Sequence, residues 1–135
     1  MWRMDDTLKH ARWIFKGAGI YGLIVLLPLY GLEDLIARYF PPPVNHPEHF
    51  YGLVGVAVAW QVAFVVIGTD PVRYRPLMPA AMIEKFSYVG CLLVLFAHGR
   101  VAAAALGPGL GDGLLGLAFA YAYVRTGPHA AKALA

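Results

Sequence analysis

Four long apolar runs, each bounded by proline, glycine or charge, constrain this chain more than any other feature of its sequence. They lie at about residues 17–32, 50–68, 86–106 and 110–124. A bilayer core is crossed by roughly 20 helical residues, and somewhat shorter runs suffice when flanking side chains snorkel. Lipid offers no partner for backbone N–H and C=O groups, so a run of this kind has to be helical. Composition excludes the alternative of a buried soluble core. Of 135 residues, 59% are hydrophobic and only 14% charged, about half the charge that soluble domains use to face water. A small domain leaves much of its surface exposed, so most of this surface must meet lipid.

The punctuation extends the runs. Proline is favoured at the first helical position, where its missing N–H is not needed, and Pro47, Pro79 and Pro108 each precede an apolar run. The sequence therefore predicts one all-α domain, an integral membrane four-helix bundle, with spans at about 14–32, 47–68, 79–106 and 108–126. Helix one begins near Asp5 and bends at Pro28. The Pro41-Pro42-Pro43 run separates spans one and two, Gly107-Pro108 makes the last turn, and Gly127-Pro128 stops the last helix. The basic N-terminus followed by an apolar run resembles a secretory signal. No small-x-small site follows, so it is read as a retained helix.

Lysine and arginine set the expected orientation. Arg3, Lys9, Arg12, Lys16, Arg73, Arg75, Lys85, Arg125 and Lys132 fall on one side of this scheme, against Arg38 and Arg100 on the other. The expected topology is antiparallel up-down with both termini in the cytoplasm. The net charge of +3 forms no basic stripe, which argues against nucleic acid. A lone Cys91 excludes an internal disulfide and any Cys-x-x-Cys centre.

Few residues carry chemistry. Arg100 and Asp112 are equidistant from Gly107-Pro108 and each lie roughly 9 Å into the layer at 1.5 Å per residue. They are expected to pair across the last hairpin, because a lone charge at that depth is costly. The alternative is a cationic pocket with His98 for an acidic headgroup or a quinone oxygen. His46, Glu48 and His49 stand at the start of helix two. Helix capping, with Asn45 or His46 as cap, explains them more simply than a metal site or a haem shared with His98. No tightly bound metal or other cofactor is expected. Gln61 should bond Ser87 or Tyr88 between helices. Asp70, Arg73, Tyr74, Arg75 and Lys85 suit anionic headgroups or a partner. Small residues at Gly55, Ala59 and Ala63, and at Gly116 and Ala120, suit close helix packing. Gly111-Asp-Gly113-Leu-Leu-Gly116 matches a dinucleotide fingerprint, but it opens a membrane helix rather than joining strand to helix.

The strings His46-Pro-Glu-His-Phe-Tyr-Gly52, Trp60-Gln-Val-Ala-Phe64, Ile67-Gly-Thr-Asp-Pro-Val-Arg-Tyr-Arg-Pro-Leu-Met78 and Glu84-Lys85 resemble a family of small four-helix bacterial inner-membrane proteins with no assigned activity. More loosely, the plan is similar to DoxX-like membrane proteins, some of them linked to quinone-dependent redox complexes. Neither resemblance carries a catalytic residue onto this chain. Quinone-linked thiol oxidoreductases need paired cysteines, and small multidrug exporters need an acid within the first span; both are missing here. The reading taken forward is a non-catalytic module of the bacterial inner membrane that binds lipid or a membrane-protein partner, a larger complex or second copy included. The alternatives are an accessory subunit of a respiratory or photosynthetic complex and a quinone- or lipid-handling enzyme.

The charge bias makes one prediction. Reporter fusions after Asn45 should report the outer side and fusions at the C-terminus the cytoplasm; a cytoplasmic signal after Asn45 refutes the scheme.

Overall fold

The computed structural model describes residues 4–39 and 43–133, with side chains over 6–39 and 43–132. Arg3, Pro41 and Pro42 lie outside the described residues. All regular structure among the described residues is helical: α1 (Met4–Leu26), α2 (Glu33–Tyr39), α3 (Pro47–Thr69), α4 (Met78–Ala97) and α5 (Leu106–Ala133). Four segments are long and apolar enough to cross a membrane, Asp6–Gly31, Pro47–Thr69, Arg75–Ala97 and Ala103–Lys132. Large apolar side chains cover their outer faces, Ile24, Leu53, Ile83 and Val124 among them. Such a surface suits lipid and fits a multi-pass membrane protein.

Local chemistry explains where the helices change. Pro28 cannot donate to the helix ladder, and the chain tightens there into a 3-10 turn over Leu27–Gly31. Pro47 occupies the first turn of α3 and Pro79 that of α4. The end of α4 departs from the expected span, which ran to residue 106. His98 is its C-cap, and Gly99 follows at φ +67°. The Gly99 N–H reaches the Phe96 carbonyl and the Arg100 N–H the Leu95 carbonyl, each at 2.9 Å. This pair of bonds is a Schellman motif, which needs a left-handed residue just past the helix and therefore favours glycine. The turn thus falls at residues 98–102 rather than at Gly107-Pro108, which lie inside the first turn of α5. The expected stop at Gly127-Pro128 is also absent, since α5 runs through Pro128 to Ala133. Gly127 has no Cβ for the proline ring to clash with.

The helices form two hairpin pairs. In the first, α1 lies against α3: Gly19 meets Gln61 and Val65, and Gly68 meets Lys16. In the second, α4 lies against α5: Leu92 meets Gly109, Val89 Gly113 and Phe86 Gly116. In each pair the numbering rises on one helix as it falls on the other. The pairs join through aromatic rings. Phe15 of α1 stacks on Phe119 of α5 with centroids 4.3 Å apart, and Phe64 of α3 meets Phe119 edge-on at 4.8 Å. All three phenylalanines are fully buried.

Close approach rests only in part on the expected small residues. Ala59 is exposed, and a Cβ on Gly55 would touch only the Tyr30 hydroxyl at 3.4 Å. The tight contacts are at Gly19, Gly22 and Gly68 between α1 and α3, and at Gly109 and the expected Gly116 between α5 and α4. Hydropathy does not distinguish a small residue facing a helix from one facing lipid.

A Cβ on Gly19 would stand 2.5 Å from the Gln61 carbonyl oxygen and 3.0 Å from the Val65 nitrogen, both backbone atoms. Gly19→Ala should therefore force α1 and α3 apart and cost about 1–3 kcal/mol, the usual range for overpacking. Gly17→Ala, with nothing within 4 Å, should leave stability in detergent unchanged. Equal melting temperatures for the two variants would reject this interface.

Candidate functional site

The polar centre of the bundle is built on Lys85. Its Nζ lies 3.0 Å from Asp112 Oδ1 of α5, to which it donates, and 3.2 Å from Glu84 Oε2 of α4. It also sits 5.4 Å from the centroid of Phe64, close enough for a cation–π contact. The lysine side chain is only 6% exposed, against 21% for Glu84 and 27% for Asp112. Helix register explains the geometry. Phe86 packs on Gly116, so Asp112 stands one turn along α5 from the level of Lys85. The lysine's four-carbon stem spans that turn, about 5.4 Å, and lies along apolar surface as such stems do. Glu84 Oε2 is buried and accepts no hydrogen bond among the described residues. Its link to the ammonium is one of charge and distance. One cation thus holds two carboxylates in the apolar layer.

This arrangement replaces the expected Arg100–Asp112 pair. Arg100 sits in the loop after α4, exposed and without a side-chain partner among the described residues, and His98 is exposed beside it. Asp112 turns to Lys85 because the hairpin closes at Gly99, which shifts the register of α4 against α5. Lys85 was expected at a headgroup surface and is instead buried.

Gln61 is buried, but its partner is not Ser87 or Tyr88. Its amide donates to the Ala57 carbonyl at 3.1 Å and packs against Gly22 of α1. Ser87 is exposed and donates to the Glu84 carbonyl at 3.2 Å. Few contacts join α3 to α4, and Gln61 reaches neither Ser87 nor Tyr88 across them.

The loop before α4 is ordered by its own residues. Asp70 accepts from the Arg73 N–H at 3.1 Å, and the Arg73 guanidinium stands 5.6 Å from the Tyr74 ring centroid. Arg75 is committed to α5. It donates twice to the Tyr123 carbonyl, at 3.3 and 3.2 Å, and lies 3.8 Å over that ring. Arg73 is exposed, whereas Arg75 ties the loop to the bundle.

At the start of α3, His46 is the N-cap by position, yet its side chain makes no capping bond. Its ring nitrogen Nδ1 lies 3.1 Å from Glu48 Oε1, and His49 Nδ1 lies 3.6 Å from the same oxygen. Nearby, Tyr51 donates to Glu33 of α2 at 2.8 Å, a contact between α2 and α3 that apolar periodicity gives no means of finding.

Between α4 and α5 runs an open apolar groove of about 580 Å³. Val89, Leu93, Leu110 and Leu114 line it, with Gly107 and Gly113 where side chains would otherwise stand. A Cβ on Gly107 would meet nothing within 4 Å and one on Gly113 only Val89 at 3.8 Å. Phe86 and Gly113 belong to its walls and are the sequence neighbours of Lys85 and Asp112. No family model, curated protein or solved structure matches this chain.

The charge group generates a ranked prediction. Removing one partner of a buried pair costs about 3–5 kcal/mol, while replacing both is often near neutral. Lys85→Met should be the most destabilising change, because it leaves two carboxylates facing each other. Asp112→Leu should cost less, since Glu84 still faces the lysine, and a triple variant that replaces Lys85, Asp112 and Glu84 together by apolar residues should regain most of the loss. Arg100→Leu should stay within about 0.5 kcal/mol of wild type, as exposed substitutions usually do. Thermal unfolding in detergent measures all four.

Proposed function

We propose that this chain is a non-catalytic membrane module that holds a lipid acyl chain in the groove between α4 and α5. The groove carries this reading. Its volume lies within the roughly 300–1,000 Å³ of small-molecule sites, its walls are almost wholly apolar, and it is open between two helices long and apolar enough to cross a membrane. Glycines in the first turns of α5 create the space. A hydrocarbon chain needs no hydrogen bonds, and the groove offers hardly any. The Lys85–Asp112–Glu84 group is paired within the bundle as a structural clamp on the same two helices, which agrees with a module that performs no reaction.

The proposal includes the wider frame read from the sequence: an antiparallel up-down bundle of the bacterial inner membrane, both termini cytoplasmic, in the manner of the small four-helix and DoxX-like proteins it resembles. Exposed Arg73 beside Tyr74 would meet anionic headgroups at the cytoplasmic face, where basic residues concentrate. A larger membrane complex as partner is the second reading, favoured by the same groove if a partner's helix rather than a lipid fills it.

The test is retention of lipid. Protein extracted in mild detergent should carry phospholipid visible by native mass spectrometry. Gly107→Leu and Gly113→Leu, which fill the groove, should lower that lipid several-fold without unfolding the protein. Gly52→Leu, at an open position of α3, should not. Equal lipid in all of these proteins rejects the groove as the site, and a copurifying polypeptide displaced by the same substitutions would support the second reading.

A further inference from the structure

We propose that His46, Glu48 and His49 form a reversible site for a divalent transition-metal ion, zinc or copper, at the start of α3. It is separate from the groove and does not depend on its occupant. The spacing places all three residues in the first turn. Pro47 sets the helical φ at its first position, and the chain then turns Glu48 and His49 back beside His46. The His46 carbonyl accepts the N–H groups of His49 at 3.1 Å and Phe50 at 3.2 Å, which closes that turn.

Capping does not account for these side chains, because the His46 ring makes no bond to the backbone N–H groups of the turn. Both imidazoles converge on the Glu48 carboxylate instead. One potential ligand atom from each residue lies within 4.8 Å of the others, and two of the separations are 3.1 and 3.6 Å. Donors around a tetrahedral zinc stand about 3.3–3.6 Å apart, since each bond is about 2.0–2.2 Å. Small rotations of exposed side chains close the difference.

Two histidines and a glutamate are a donor set that zinc uses with one position left to water. Imidazole nitrogen also suits copper, whereas magnesium prefers oxygen ligands and keeps its own water. The carboxylate supplies the negative charge a cation needs at a helix N-terminus, where the helix dipole is positive. The side chains are 66–79% exposed, so an ion reaches them from solvent and leaves again. Bound, it would staple the first turn of α3, just before Tyr51, which reaches Glu33 of α2.

The experiment uses the full chain in detergent, freed of metal by a chelator and carrying no polyhistidine tag. Calorimetric titration with Zn²⁺ should show one saturable site per chain with a dissociation constant on the order of micromolar, and Mg²⁺ should show none. His46→Ala and His49→Ala should each weaken zinc at least as much as the roughly 10–100-fold that loss of a mere supporting partner costs a metal site. Glu48→Gln, which keeps the shape and loses the charge, should weaken it too. His129→Ala, at the far end of α5, should leave it unchanged. Circular dichroism should be the same for all four variants, because none of these side chains is buried. Absence of saturable zinc binding in the wild type, or undiminished binding in a His46→Ala/His49→Ala double variant, overturns the proposal.

Discussion

Phe15, Phe64 and Phe119 form the only ring cluster that ties the two hairpins together among the described residues, and the rest of the bundle is arranged around it. In lipid the apolar exterior gives the helices no hydrophobic reason to associate, so cohesion has to come from close packing and polar contacts. The parallel stack of Phe15 on Phe119 joins α1 to α5, and Phe64 brings α3 to the same point. The ammonium of Lys85 over the Phe64 face adds α4. All four spans thus meet where one aromatic cluster and one buried charge touch.

That charge also explains why α4 and α5 keep their register. In the apolar layer a lone ammonium or carboxylate is costly, and Lys85 meets Asp112 only when α4 is aligned so that Phe86 faces Gly116. Sliding the helices by one turn would part the pair and push Leu92 off Gly109. Glycine and charge therefore specify the same alignment, one by shape and the other by electrostatics. The Schellman turn at Gly99 agrees with both, since it leaves just enough chain at residues 98–102 to reverse direction.

The groove follows from this arrangement. Glycines that allow α5 to touch α4 at Gly109 and Gly116 alternate with Gly107, which faces open space, and Gly113, which leaves room in front of Val89. The helices are held together at some levels and held apart, by the bulk of Leu92 and Phe86, at others. A wall of leucine and valine with missing side chains, on helices clamped by an ion pair, makes a recess with apolar walls. The histidines at the start of α3 lie outside this machinery. Their geometry arises from one helical turn, and no packing in the bundle depends on them.

The apolar runs and their prolines were enough to read four membrane-crossing helices, because backbone groups in lipid must bond within their own segment and proline marks where a helix can begin. The His46–Glu48–His49 cluster was legible too, being local in sequence. The polar core was not. Gly107-Pro108 reads as strongly as a turn as His98-Gly99 does, and only the second adopts the left-handed conformation that ends α4; the choice moved the partner of Asp112 from Arg100 to Lys85. Gln61 was legible as buried, but its neighbour depends on which helices touch, and hydropathy is silent on that. What the amino-acid sequence determined by itself was the number of spans, their helical state and the chemistry of each short motif, all of which follow from interactions within a few residues. Which charges pair, which glycines face a helix and where the groove opens were decided only by tertiary structure, because each depends on the register between segments that one residue of loop can shift.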